Sequence, residues 1–277
     1  MMLKGAMHAH STYSDGELTL DELRRNYLTQ GCSFLCITDH SEYFDAGSVR
    51  TYAKELQARS DDKFCFVMGL EYRCEREMHI LGYGASVLTS STDPQTVFRH
   101  IKSQDAIAVI AHPKDEFFPW IEGFDVLPKG IEVWNSKYDG RYAPRPGTFA
   151  LLQRLRERAP EMQAFYGQDL HWKKQFRGLC VTVDCDALNP SAILAALAAG
   201  KYSGTYSATP GRKHSSHADE LLLPSSGILT EAQLLGFEQA QARSRRMRQF
   251  LKRGKQTLER IGVRVPKSVK AQLRRIF

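Results

Sequence analysis

Cys32-Ser33-Phe34-Leu35-Cys36-Ile37-Thr38-Asp39-His40 is the stretch that decides the fold. Cys32–Thr38 reads as a continuous apolar run rather than an alternation, the mark of a strand buried on both faces. It ends in Thr38-Asp39-His40. A histidine and a carboxylate just past a buried strand fit the mouth of an α/β barrel, where functional residues gather at the C-terminal strand ends.

The same arrangement recurs along the chain. His8-Ala9-His10, followed by Asp15, lies in a short strand predicted over Ala6–Ser11. Glu71 ends Phe64–Glu71, and His79 opens the run Met78–Tyr83. His112, in Ala111-His112-Pro113, follows Ala106–Ala111, while Asp169-Leu170-His171 ends Ala164–Asp169. Further strands are predicted over Ile131–Trp134 and Leu179–Val183, with Lys201–Ser207 as one more strand or a sheet edge. Helical spacing covers Thr19–Gln30, Val49–Ser60, Asp93–Gln104, Arg145–Arg158 and Ser191–Ala199. Gly31 stops the first of these, and Asp93-Pro94 suits N-cap and first helical position in the third. Repeated β-then-α alternation predicts a parallel barrel or a doubly wound sheet. No Gly-x-Gly-x-x-Gly or Walker-type loop is present, which leaves nucleotide-binding Rossmann and P-loop readings unsupported.

The motifs also read as metal ligands. His8 and His10 stand two apart, so on a strand both side chains share a face and can reach one cation. Asp169 and His171 repeat that spacing. Imidazole mixed with carboxylate suits Zn, Mn or Fe, whereas an all-oxygen set would favour Mg or Ca. Nine candidates (His8, His10, Asp15, His40, Glu71, His79, His112, Asp169 and His171) exceed the needs of one ion. They suit two or three divalent ions if a carboxylate bridges. A lone strand histidine is usually a satisfied core or surface residue; the shared position at strand ends is what joins these into one site. Asp39 is expected to orient a neighbouring ligand histidine or to serve as a strand-end turn residue.

Bulk properties set the frame. The chain has 277 residues, 42% of them hydrophobic and 25% charged, as expected for one globular barrel. No run approaches the ~20 apolar residues of a membrane span. The first motif begins by residue 8, leaving no room for a leader, so a cytoplasmic location is expected. Six cysteines form no Cys-x-x-Cys pair and read as reduced, buried residues. The net charge of +7 is unevenly spread. Residues 237–277 carry 13 Lys/Arg against 2 Asp/Glu, and the rest of the chain is net acidic. The boundary is drawn at 224: a barrel over 1–224 and a basic, mainly helical extension over 225–277, with Ser225–Gly227 as the break.

The motif set closely resembles the PHP (polymerase and histidinol phosphatase) family of metal-dependent phosphoesterases. The matching stretches are His8–Gly16, Ile37–His40, Gly69–Glu71 with His79–Gly82, Ala111–Pro113 and Gly167–His171, and the likeness spans residues 1 to about 205. All nine ligand positions of that family are filled. The resemblance implies a distorted (β/α)7 barrel with a trinuclear centre. It implies a first metal on His8, His10, Glu71 and Asp169, a second on Asp15, His40 and His171, and a third on His79 and His112 bridged by Glu71. It further implies hydrolysis of a phosphate ester by a metal-bridged hydroxide, with Asp15, Glu71 and Asp169 at the chemistry.

Substrate contacts are sought among polar residues just past strand ends. Arg73, Lys114, Lys137, Arg141 and Arg177 qualify, with Arg73 and Lys114 foremost, and Asn135 either contacts substrate or caps a turn. Residues 140–147 read as a loop over the mouth, and His214 and His217 as loop residues. Thr230–Ile261 is predicted helical, with a short basic helix after Val265-Pro266. Three uses compete for this tail: packing on the barrel with a solvated basic face, holding a nucleic-acid backbone, or lying on an anionic membrane surface. The expected activity is a phosphomonoesterase acting on a small phosphorylated metabolite or nucleotide. The alternatives are a nuclease trimming RNA or DNA ends and a binding protein that uses the tail.

Overall fold

The computed structural model describes residues 1–139, 143–176, 178–207 and 220–260. Its strands are β1 (Met2–Met7), β2 (Phe34–His40), β3 (Cys65–Arg73), β4 (His79–Tyr83), β5 (Ile107–Ile110), β6 (Gly130–Asn135), β7 (Gln163–Gly167), β8 (Leu179–Asp184), β9 (Tyr202–Ser207) and β10 (Glu220–Pro224). The helices are α1 (Leu20–Thr29), α2 (Ala46–Ala58), α3 (Pro94–Lys102), α4 (Phe118–Glu122), α5 (Pro146–Arg156), α6 (Pro190–Ala198) and α7 (Glu231–Arg260). The strands form one sheet in the order β10-β9-β8-β1-β2-β3-β4-β5-β6-β7.

The parallel barrel expected from the alternation is in fact a mixed sheet. β1–β2–β3 and β5–β6–β7 pair in parallel, but β4 runs antiparallel to both its neighbours. The chain between β3 and β4 is only Cys74–Met78, far shorter than a parallel crossover needs. β8 pairs antiparallel with β1, and β9 and β10 continue outward from it.

Closure comes from the residues after β1 and β7. Ala9 and Leu170 form a parallel bridge, with His10 N–H donating to Leu170 O at 2.9 Å and Leu170 N–H to His8 O at 3.3 Å. The β8–β10 extension wraps back over β7: the Tyr202 hydroxyl donates to Ala164 O and the Tyr166 hydroxyl to Pro224 O. Tyr83, Trp134, Phe165, Tyr166 and Tyr202 fill this side of the core, with ring centroids 5.9 Å apart for Tyr83–Phe165 and 5.5 Å for Phe165–Tyr202. Burying rings at such separations adds specific packing to the area term.

Helix starts follow the residue chemistry. Thr19 and Glu22 make a reciprocal capping box, and Asp93 caps α3 with Pro94 behind it. The short α4 and the strand β10 carry too few residues to show a period, and the sequence reading passed over both. Within the predicted Thr230–Ile261 helix, α7 covers Glu231–Arg260 and lays Phe237 on Phe149 of α5 at 6.4 Å. The Gln241 amide donates to the carbonyls of Asp139, Ala143 and Pro144. Ser225–Gly227, the expected break, packs against the barrel: Ser225 O accepts from Ala164 N–H, and Gly227 is buried. The basic helix expected after Pro266 lies outside the described residues, as do Arg141, Arg177, His214 and His217. No helix among the described residues is long and apolar enough to cross a membrane.

Thr19→Ala should remove one half of the α1 capping box and lower stability by about 1 kcal/mol. Urea denaturation reads the loss, and metal affinity should stay at the wild-type value.

Candidate metal centre

Glu71, at the end of β3 and 1% exposed, sits inside a ring of imidazoles. Its Oε1 lies 2.8 Å from His79 Nδ1 and 3.3 Å from His112 Nε2. Its Oε2 lies 3.0 Å from His10 Nε2, 3.1 Å from His8 Nε2 and 3.7 Å from His40 Nδ1. Each carboxylate oxygen thus faces its own set of nitrogens, the posture of a bridging ligand. Asp169 joins from the other side, 3.5 Å from His10 and 3.1 Å from His171. Asp15, the most exposed member at 40%, lies 3.2 Å from His171 and 3.7 Å from His40. All nine residues singled out in the sequence therefore meet in one cluster. Four overlapping groups of ligand atoms close enough to share an ion emerge from it: His10, Asp15, His40 and His171; His8, His10 and Asp169; His8, Glu71 and His112; and His40, Glu71 and His79.

The cluster passes a test of fit for cations. Both ring nitrogens of His10, and the Nδ1 atoms of His40 and His79, are buried without a hydrogen-bond partner. Buried polar atoms are normally satisfied. Here the nitrogens approach carboxylates closely yet miss hydrogen-bond geometry, as lone pairs converging on a shared cation would.

The convergence does not arise as the spacing suggested. β1 ends at Met7, and His8 takes a left-handed backbone with φ 60°. Asp169 (φ 49°) and His112 (φ 25°) do the same beyond their strands. His8 and His10 are therefore brought together by a kink followed by the Ala9 bridge, rather than by strand alternation. Non-glycine residues avoid this region at a cost of order 1–3 kcal/mol each, and such strain clusters at functional sites.

Electrostatics follow from burial and charge. Burial works against ionised Glu71, but His8 together with the contacts to His10, His112 and His79 prevails and holds it well below the usual carboxylate range. Asp169 is depressed in the same way, chiefly by His8 and His10 once burial is overcome. Burial lowers His40 to about 4. For His171, burial is outweighed by Asp15 and Asp169, which raise it to about 9. His8, opposed by burial but faced by Glu132, Glu71 and Asp169, is also held well above its ordinary value.

Glu132 was not foreseen. It stands fully buried in β6, accepting from His8 Nδ1 at 2.8 Å, from the His112 backbone N–H at 2.9 Å and from the Asn135 amide at 2.9 Å. One carboxylate thus orients two ligand histidines, the supporting role that metal sites require. The signal available was a charged residue inside the apolar run Ile131–Trp134. Asp39, expected to orient a ligand histidine, instead accepts from the Ser11 backbone and hydroxyl, the Ser14 hydroxyl and the Tyr52 hydroxyl. It ties down the loop that leads to Asp15. The reason is alternation: Asp39 points to the face opposite His40.

The expected substrate contacts divide. Of the two roles expected for Asn135, the structure shows it holding a turn: its amide donates to Glu132 and Asp169, and its oxygen accepts from the backbones of Lys137 and Tyr138. Arg73 is exposed and paired with Glu77 at 2.6 Å. Lys114 lines a cleft together with His79 and His112. Among the described residues, the candidate cation that reaches the ligands is Lys137, with Nζ 3.2 Å from Asp169 and 3.3 Å from His171 Nδ1. Arg141 falls outside the described residues.

A mixed α/β barrel whose strand ends converge on histidines and carboxylates is an architecture suited to holding divalent cations. Residues 6–164, more than half of the chain, match the PHP domain model, and the chain belongs to the PHP domain family. It is 31% identical over 77 residues to the DNA polymerase/3′-5′ exonuclease PolX of Bacillus subtilis, a match covering 25% of this chain and 14% of that protein. A two-domain protein of Bacteroides vulgatus containing a predicted PHP-like metal-dependent phosphoesterase has a similar fold, with TM-score 0.54 at 18% identity. That match covers 74% of this chain and 65% of the other, so the chain spans slightly less than two thirds of that protein. The lesion-specific endonuclease PfuEndoQ of Pyrococcus furiosus gives TM-score 0.53 at 12% identity, over 86% of this chain and 72% of its own.

Glu132→Gln should weaken metal binding by about 10–100-fold, because His8 and His112 lose the carboxylate that aims them. Calorimetric titration with Mn2+ measures the change; an unaltered affinity would contradict the orienting role. A second expectation concerns protons. Against the effect of burial, His171 is raised to about 9 by Asp15 and Asp169, and His8 is raised by Glu132, Glu71 and Asp169, so the metal-free cluster favours protonated rings at these positions. Ligand nitrogens must shed those protons to bind a cation. Mn2+ affinity should therefore climb as pH rises from about 6.5 to 8.5, with roughly one to two protons released per binding event near pH 7. Calorimetry in buffers of differing ionisation enthalpy reads both quantities.

Proposed function

We propose that this protein is a metal-dependent phosphomonoesterase acting on a small phosphorylated metabolite or a nucleotide, with two or three Mn, Zn or Fe ions at the cluster. The observation that carries the reading is the Glu71 carboxylate shared among five imidazoles, an arrangement that makes chemical sense around more than one cation. Divalent ions held there supply the charge that activates water and offsets negative charge building on the phosphoryl group. The protein's own residues do the rest. His8, His10, His40, Glu71, Asp169 and His171 form the buried wall of the site, His79 and His112 are partly exposed, and Asp15 lies at its open edge. Lys137 presents an ammonium beside Asp169. Burial disfavours its charge, but Asp169 and Tyr138 more than compensate and keep the pKa above the ordinary lysine value. It is placed to hold a phosphoryl oxygen as a point charge. All six cysteines are free and buried, so a thiol nucleophile at the mouth has no candidate. Reduced thiols also suit the cytoplasm, where we place the protein.

A second reading is a nuclease that trims nucleic-acid ends. Arg243, Arg245, Arg246, Lys252 and Arg253 of α7 are exposed, and PolX and PfuEndoQ are by name an exonuclease and an endonuclease. A basic helix of this kind suits a phosphate backbone.

A phosphate-release screen with Mn, Zn and Fe, over nucleotides, sugar phosphates, histidinol phosphate and short oligonucleotides, tests the proposal. Inorganic phosphate from small esters is the expected outcome, and free nucleotides from an oligomer would favour the nuclease instead. The double variant His10→Ala, His40→Ala should abolish release, and wild-type activity in that variant would overturn the site assignment.

A further inference from the structure

Beside the ligand cluster lies a cleft of about 640 Å³ that the chemistry above leaves unused. His79 and His112 line it, so it adjoins the ligand cluster directly. Its volume falls in the range of small-ligand sites, roughly 300–1,000 Å³. Two properties of the walls define what it can take.

The first is an exposed aromatic face. Tyr138 has 56% of its surface exposed although it stands in the mouth, with its ring centroid 4.7 Å from that of His112. The Asn135 turn fixes its backbone, since the Asn135 side-chain oxygen accepts from Tyr138 N–H. Lys137 Nζ lies 5.0 Å from the same ring, so the ring touches both the ligand cluster and the cation placed for phosphate. An exposed ring held this way is a stacking platform, and planar heterocycles gain about 1–3 kcal/mol on such surfaces.

The second property is charge pairing. The cleft carries Glu77, Asp115 and Glu116, and each is matched: Glu77 with Arg73 at 2.6 Å, Asp115 with Arg145 at 2.8 Å, and Glu116 with Lys114 at 3.8 Å. Among the described residues the lining cations are matched by carboxylates, which leaves no surplus for a second phosphate, and paired ions still present polar atoms for hydrogen bonding. The leaving group that fits is therefore planar at one end, uncharged, and rich in hydroxyl and amide-type groups.

We propose that this cleft is the leaving-group subsite and that it takes a nucleoside, with the base stacked on Tyr138 and the phosphate directed to the cluster beside Lys137. This deepens the phosphoesterase reading and rests on it: the substrate class becomes the nucleoside phosphates rather than sugar or amino-alcohol phosphates.

Two measurements on the full chain test it. In the first, adenosine and uridine are titrated into the Mn2+-loaded protein by calorimetry, with ribose as control. Both nucleosides should bind at least tenfold more tightly than ribose. Tyr138→Ala should weaken them about tenfold, and Tyr138→Phe should restore the wild-type value. In the second, the ratio of kcat/KM for adenosine 5′-monophosphate to that for ribose 5-phosphate should fall about tenfold in Tyr138→Ala, mainly through KM, and recover in Tyr138→Phe. Nucleosides binding no better than ribose, or a Tyr138→Ala variant with unchanged affinity and ratio, overturns the subsite even if phosphate esters are hydrolysed. Tyr138-dependent nucleoside binding without hydrolysis of any ester upholds the subsite and sinks the phosphoesterase reading. Trp172 is also exposed, with its ring 5.7 Å from that of His171; loss of nucleoside affinity in Trp172→Ala but not in Tyr138→Ala would place the base there and also overturns the proposal.

Discussion

Leu170 accepts a backbone hydrogen bond from His10 and donates one to His8; these bonds bring the residues after β1 to those after β7, and the rest of the molecule is arranged around that seam. His8 and His10 flank one side of the bridge, Asp169 and His171 the other. Four ligands are thus fixed by two backbone hydrogen bonds and the strands behind them. Glu71 enters from β3 and His40 from β2, whose register places the two residues directly opposite each other. Neighbouring parallel strands bring these side chains to one level, so ligands from distant parts of the sequence need no long loops to meet.

The cost of the arrangement is electrostatic as well as conformational. Glu71, Asp169 and Glu132 are almost completely buried, and uncompensated carboxylates do not survive in such surroundings. Imidazoles supply part of the compensation, and the depressed carboxylates beside raised His8 and His171 are its signature. Divalent cations held by the cluster would complete it without requiring the imidazoles to hold protons. Glu132 has a further structural part, since it joins His8, the His112 backbone and Asn135. Through Asn135 it connects to the turn that carries Lys137 and Tyr138, so the metal ligands and the residues assigned to substrate share one support.

The ligand set was legible in the sequence because metal binding demands uncommon residue types, and these stood out at the ends of apolar runs. Helix starts at Thr19 and Asp93 were legible because capping has a local chemistry. Other features left no such trace. The left-handed backbones at His8, His112 and Asp169 occur at residue types that do not advertise them, so strand alternation was the natural but mistaken account of His8 and His10. The antiparallel insertion of β4 depends on a short connection whose consequence appears only with β5 in place. Lys137 could not be told from Arg73 or Lys114 by distance from a strand end. What separates them is the direction of the Asn135 turn, against the local pairings of Arg73 with Glu77 and Lys114 with Glu116.

The seam has a thermodynamic corollary. Ions bound by residues on both sides of the Ala9–Leu170 bridge bind the closed barrel and not the opened one, and whatever binds only the closed form must favour closure by the same free energy. A cation held there would then act as ligand and structural fastener at once, and its supply would set how tightly the barrel is laced.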